Sequence, residues 1–182
     1  MRWERLDDAK VALDEALNGR LCVQAWIGYA CVLFIGFGEE VLPPVPPGER
    51  HPIPTYELRI NFADWWVEND CGVIGTSNDE RSNVLDIAEL FVGHRVVSWQ
   101  FVDQTIALEI HFDGGLKLKM KPYSEYEDSN ESAWVLRMPG QYYGFARWDG
   151  IVGTGCSYHT PNCNARAYEC EFNPFSKSRG AK

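Results

Sequence analysis

The 182-residue chain has no apolar run long enough to cross a bilayer. Its longest, Cys31 to Phe37, ends in Gly36-Phe37-Gly38-Glu39-Glu40, well short of the ~20 residues a membrane helix needs. Positive charge is also scarce: 17 Lys and Arg stand against 26 Asp and Glu, for a net charge of -9. A chain of that sign repels nucleic-acid phosphate and attracts cationic partners, so the expectation is a protein partner, basic in character, and no nucleic acid. The first residues, Met1 to Asp8, are charged where a secretory signal needs an apolar stretch. The expectation is therefore a cytoplasmic protein in which Cys22, Cys31, Cys71, Cys156, Cys163 and Cys170 stay reduced. Catalytic signatures are missing as well, with no phosphate-binding Gly-rich loop ending in Lys-Ser/Thr, no His-Glu-x-x-His and no Gly-x-Ser-x-Gly. Gly36-Phe37-Gly38 lacks the third glycine of a dinucleotide fingerprint, and no lysine-bearing helix follows Gly150-Ile151-Val152-Gly153-Thr154-Gly155. Glu109 and His111 share a strand face just before Asp113, the nearest approach to an acid/base cluster, but an outward polar strand face has the same pattern. These absences predict a protein that is not an enzyme, with no catalytic residues, no metal and no cofactor.

What the chain does have is apolar material and a repeat. Hydrophobic residues make up 45% and aromatics 13% of it, enough for a packed interior. Gly19-Arg20-Leu21-Cys22-Val23-Gln24-Ala25-Trp26 is matched by Gly93-His94-Arg95-Val96-Val97-Ser98-Trp99-Gln100, the glycines standing 74 positions apart (93 minus 19). Each block is followed by a strand-like run, ending in Phe37-Gly38 and in Phe112-Asp113-Gly114. Further on, Tyr56-Glu57-Leu58-Arg59-Ile60 faces Trp134-Val135-Leu136-Arg137-Met138, and Val73-Ile74-Gly75-Thr76-Ser77 faces Ile151-Val152-Gly153-Thr154-Gly155. Leu58 to Gly75 and Leu136 to Gly153 both span 17 positions (75 minus 58, 153 minus 136). Four matched blocks in one order predict two similarly folded halves.

Within each half the periodicity changes from helical to extended. Trp3, Leu6, Leu13 and Leu17 suit one face of a helix over 3–17 that Asn18-Gly19 stops. Asn78 or Ser77 is a candidate cap for a second helix near 80–91, with Val84, Ala88 and Phe91 on one side and Gly93 past its end. Ile106, Leu108, Ile110 and Phe112 alternate toward one face, Asp113-Gly114-Gly115 makes a hairpin turn, and Leu116, Leu118 and Met120 return. Lys117, Lys119 and Lys121 then point outward, as a solvated or edge face. Tyr56, Leu58, Ile60 and Phe62 repeat the alternation in the first half. The predicted fold is α+β and β-rich: two pseudo-symmetric halves, each a helix packed on antiparallel strands. The boundaries fall at 1–77, 78–155 and a C-terminal extension 156–182, within one globular body.

Three segments stand apart. Pro43-Pro44-Val45-Pro46-Pro47 through Pro54 excludes a central strand and reads as a stiff surface connection, and Ser176 to Lys182 is a basic polar tail. Cys156, His159, Cys163 and Cys170 form a donor set that tetrahedral zinc accepts, but at a spacing unlike the common paired patterns; free thiols are the expectation. Trp65-Trp66 must place its two indoles on opposite faces of a strand, and Tyr142-Tyr143 holds the matching position in the second half. Asp64, Glu68 and Asp70 surround Trp65 and Trp66, giving a candidate binding site in which an aromatic anchor is ringed by carboxylates. Glu125, Glu127 and Asp128 make a second acidic cluster within Tyr123 to Glu131.

Over Leu85 to Trp148, Gly93-x-x-Val96, Leu108-x-Ile110-x-Phe112-Asp113-Gly114 and Trp134-x-Leu136 before Met138-Pro139-Gly140 resemble a pattern of small uncharacterised bacterial proteins. Some of these look like immunity proteins of polymorphic toxin systems. The resemblance covers about a third of the chain and carries no functional residues. It implies a small, acidic, non-catalytic protein that binds a toxin domain. The expected function is thus a non-catalytic binding protein of immunity type with a basic protein partner. The alternative is a small-molecule carrier or sensor with its pocket between the β halves.

Overall fold

The computed structural model describes residues 6–41, 52–102, 105–123, 132–139, 142–147 and 152–156; in 142–147 only side chains 144 and 146 are described, and in 152–156 only the backbone. The chain is α+β and strand-rich. Helix α1 (Leu6–Leu17) buries Ala9, Ala12, Leu13, Ala16 and Leu17, a stripe at helical spacing whose small members allow close approach. Gly19 ends it at φ 68°, a left-handed conformation that glycine adopts without cost. Helix α2 (Arg81–Glu89) buries Val84, Ile87 and Ala88. Its N-cap is Glu80, which makes no side-chain cap bond, so neither Ser77 nor Asn78 caps it. Asp79 is instead committed to the preceding turn, where its carboxylate accepts bonds from the Thr76 backbone N–H and Oγ1, both at 3.0 Å.

Two antiparallel sheets face each other. One runs β1 (Cys22–Ile27), β2 (Leu33–Val41), β3 (Ile53–Ile60), β9 (Ser132–Met138), β10 (Tyr142–Arg147), β11 (Val152–Cys156). The other runs β5 (Gly72–Thr76), β4 (Ala63–Asn69), β8 (Lys117–Pro122), β7 (Leu108–Phe112), β6 (Val96–Phe101). Alternation sets their inner faces. Tyr56, Leu58 and Ile60 in β3, Ala63, Trp65 and Val67 in β4, and Leu118 and Met120 in β8 all turn into one core. Aromatic rings tie the sheets together: Phe37 stacks on Phe112 with centroids 6.4 Å apart, and Phe101 on Trp134 at the same separation. The lysine-bearing strand β8 is central in its sheet, so its lysines mark a solvated face and not an edge.

Each sheet draws strands from 1–77 and from 78–155. Helix α1 is followed by three neighbouring strands of one sheet (β1, β2, β3), and the chain then crosses to the other for β4 and β5. Helix α2 is likewise followed by β6, β7 and β8 in the second sheet before the chain crosses back to β9 and β10. Where β1 and β6 begin, the hydrogen bonds come in reciprocal pairs. Gly19 N donates to Val96 O (3.0 Å) and Gly93 N to Cys22 O (2.9 Å); Cys22 N donates to His94 O (2.8 Å) and Val96 N to Arg20 O (2.9 Å). Gly38 N to Leu21 O matches Asp113 N to Arg95 O, and Leu21 and Arg95 bridge each other. A register shift follows the first paired residue of both strands, between Cys22 and Gln24 and between Val96 and Ser98.

The later blocks of the sequence match require correction. Leu58 and Leu136 are not counterparts in connectivity: β3 is the third strand after its helix and β9 the fourth, and the two residues sit opposite each other on neighbouring strands. Strands share a period and a residue set, so an ungapped match slid past β8 and aligned a strand with its own neighbour. The connection expected from Pro43 through Pro54 is corrected at its end: Pro54 lies buried in β3, an inner strand, opposite Glu40 of β2 and beyond the β9 pairs that begin at Glu57, where its missing N–H has no β9 partner to lose. Residues 42–51 of that connection, the Tyr123 to Glu131 acidic cluster beyond Tyr123, the Cys156–Cys170 set beyond the backbone of Cys156, and the tail lie outside the described residues.

Candidate functional site

Strand β4 divides the predicted Trp65–Trp66 site between two faces. Trp65 points inward and is 1% exposed, with its Nε1 donating to the Cys31 carbonyl at 3.0 Å. It is a core residue, and its expected role as a surface anchor is corrected. Trp66 points outward, half-buried, and donates from Nε1 to Glu68 Oε1 at 2.9 Å. The other oxygen of Glu68 meets Lys119 Nζ at 2.8 Å. The ammonium, and then the indole bond, hold the Glu68 carboxyl below its usual range, while Glu68 raises Lys119. Asp64 stands opposite Lys121 in register and accepts a bond from Asn78 Nδ2 at 3.3 Å. The outer face of this sheet therefore sets Asp64, Glu68 and Glu109 beside Lys117, Lys119 and Lys121. Such a face is charge-balanced; the ring of free carboxylates expected around the indoles is not what forms, because the cross-strand neighbour β8 supplies a lysine at every outward position. Asp70 is exposed in the turn between β4 and β5, where a Cβ on Gly115 would stand 3.4 Å from its carboxylate.

Acid and apolar surface meet instead at α2 and its two neighbours. Helix α2 packs against β1 and β5, and the fit to β5 is close: a Cβ on Gly75 would lie 1.7 Å from Ile87 Cδ1. Ten large apolar side chains stand out into solvent among the described residues, and seven belong to this region: Trp26, Tyr29, Val73, Ile74, Leu85, Leu90 and Val92. Tyr29, 92% exposed, tips the β1–β2 connection, where Ala30 and Cys31 hold φ of 51° and 59°. Two consecutive left-handed residues that are not glycine cost about 1–2 kcal/mol each; the Trp65 bond to Cys31 O helps to hold them. That tip sits beside α2, since Arg81 Nη1 donates to Gly28 O at 3.2 Å. Glu80, Asp86 and Glu89 are exposed along α2, and Asp79 is half-buried at its start. Arg81 is the one cation between Asp70 and His94. Sequence reading passed over this surface because Val73 and Ile74 were absorbed into a matched block and Leu85 lies off the Val84, Ala88 and Phe91 face read for the helix. The signal present was an apolar strand followed by a short helix with acids on its polar side.

The remaining polar groups are paired locally. His111 Nε2 lies 2.5 Å from Glu109 Oε1, but Asp113 does not join them: it lies 2.8 Å from His94 Nδ1 and accepts from the Arg95 backbone N–H at 2.9 Å. That N–H, then the imidazole, holds the Asp113 carboxyl below its usual range. On the other sheet, burial raises Glu57 against the opposing pull of Arg137, 3.7 Å away. A recess of about 470 Å³ lies between α1 and β6, lined by Leu6, Asp7, Lys10, Trp99, Gln100 and Phe101. It opens at the rim of the fold and not between the sheets, whose inner faces are filled by side chains such as Trp65, Trp134 and Phe91. Among the described residues no three His, Cys, Asp or Glu come together as a metal site, and no helix is long and apolar enough to cross a membrane. No protein-family model, curated protein or solved structure matches the chain.

Proposed function

We propose that the chain is a non-catalytic binding protein of immunity type, and that it docks a basic protein partner on the surface formed by α2, β5 and the β1–β2 tip. The observation that supports this reading is the concentration there of exposed apolar side chains beside exposed acids: Leu85, Leu90 and Val92 next to Glu80, Asp86 and Glu89. Apolar side chains at the centre of a contact supply most of its binding energy, and surrounding charges set encounter rate and partner sign. Glu68, neutralised by Lys119, contributes little to such steering. The test is capture of the partner from cells by three forms of the full chain: wild type, a variant with Glu80, Asp86 and Glu89 changed to Lys, and a charge-matched variant with Asp7, Glu39 and Glu40 changed to Lys. The expected result is a partner retained by wild type and by the matched variant but lost from the first. Its association rate should fall as ionic strength rises from low to physiological. Equal loss in both variants, or an association rate indifferent to salt, contradicts the proposal.

A further inference from the structure

Resting on that reading, we infer that β5 is a strand-addition site, taking an extended segment of the partner that carries Lys or Arg. Sheet edges present unpaired backbone N–H and C=O groups, and proteins usually cover, shorten or charge them. The edges of this fold are treated differently. The starts of β1 and β6 bond to each other through Cys22 N–His94 O and Val96 N–Arg20 O; α1 packs against β6, and α2 against β1 and, at Gly75, against β5. Strand β5 is the outermost strand of its sheet; Asp79 closes its last residue, donating its N–H to Thr76 O and accepting from the Thr76 N–H, and among the described residues the backbone of Gly72 to Gly75 bonds to β4 alone. Gly72, Val73 and Ile74 are exposed, Val73 to 59%. No residue from Gly72 to Thr76 is charged and none is proline. The register shift opposite Val67 and Glu68 leaves Ile74 unpaired, which bends the strand without closing its edge.

Charge decides the occupant. Asp70 stands at one end of β5, with Asp79 and Glu80 beyond the other. A second copy pairing antiparallel would set Asp70 against Asp79 and Glu80, and pairing parallel would set each acid against itself. A segment with basic residues at its ends meets carboxylates at both ends instead, while its backbone pairs along Gly72 to Ile74, short of the Thr76 groups that Asp79 holds, and its apolar side chains cover Val73 and Ile74.

The probe is an octapeptide alternating lysine and valine, compared with the same peptide N-methylated at alternate residues, which keeps charge and composition but removes the backbone donors of one edge. Binding to the full chain is measured by calorimetry, and amide hydrogen exchange locates it. The expected results are slowed exchange at Gly72–Thr76 and at least tenfold weaker binding of the methylated peptide. Val73→Lys should weaken binding at least tenfold and Val97→Lys, the same charge change at an exposed position on β6, less than twofold. Equal binding of both peptides, weakened by reversal of Glu80, Asp86 and Glu89, would overturn strand addition while leaving the basic-partner reading in place. No binding of either peptide would overturn both. A dimer in sedimentation that Val73→Lys abolishes would assign the edge to a second copy and overturn the proposed occupant.

Discussion

At the scale of residues, neighbouring positions have opposite fates. Trp65 and Trp66 differ by one place in sequence and by a whole sheet thickness in environment. Trp65→Ala should cost about 3–5 kcal/mol, since it empties a large core volume and strands the Cys31 carbonyl. Trp66→Ala should cost about 1 kcal/mol or less. Urea denaturation of the two variants measures both, and similar losses would contradict the burial assigned here. The cysteines give a second contrast. Burial pushes the Cys22 thiol up to about 12, whereas Cys71 is exposed. Under native conditions near pH 8 a thiol reagent should modify Cys71 early and leave Cys22 unmodified until the chain unfolds, as peptide mass mapping can show. The carboxyls of Glu68 and Asp113 are both depressed, so each contributes stability above the unfolded carboxylate value of about 4 that is lost as pH falls toward the folded value. Glu68→Gln should therefore make the acid limb of a stability–pH curve shallower and leave the neutral region nearly flat. The sequence already required Trp65 and Trp66 to face opposite ways; which of them lies inside depends on the other sheet covering one face of β4, a long-range fact that local pattern does not carry.

At the scale of elements, the helix stops and strand alternation were legible and the pairings were not. Gly19 and Gly93 read as stops, and both adopt positive φ with open space where a Cβ would stand. Each changed to Ala should lose about 1–2 kcal/mol from backbone strain alone. Gly75→Ala should destabilise by a different route, because the new methyl meets Ile87 and must push α2 off β5, at about 1–3 kcal/mol. Combining it with Ile87→Val should recover part of that loss, whereas the same Ile87→Val change with Gly93→Ala should simply add. Recovery in neither pair, measured by denaturant midpoints, would refute the α2–β5 contact. The α2 cap was misread because Asp79 outcompetes Ser77 and Asn78 for the turn, a choice that three polar residues in a row leave undetermined. The lysines of β8 were placed outward correctly, yet their meeting with Asp64 and Glu68 depends on β4 and β8 being neighbours. Those strands are separated in sequence by β5, α2, β6 and β7, and a single sequence does not reveal which of several alternating strands pair.

At the scale of the whole molecule, periodicity indicated an α+β chain and composition a packed core and a net negative charge, but not where the negative surface would be useful. Net charge suggested that carboxylates near aromatics make a docking site; the fold spends those around Trp66 on lysines and leaves α2 and its flanks acidic beside exposed Leu85, Leu90 and Val92. The crossing of the chain between sheets matters to this outcome. Because β4 and β5 leave the sheet of β1–β3 and complete that of β6–β8, β5 becomes an outer strand with α2 beside it, and the two present one surface. The most direct test is amide hydrogen exchange of the full chain, free and with its captured partner bound. The account predicts slowed exchange at 72–76 and 81–92, with the outer-face strands β4 and β8 unchanged. Protection confined to β4, β7 and β8, or to the recess between α1 and β6, would contradict it.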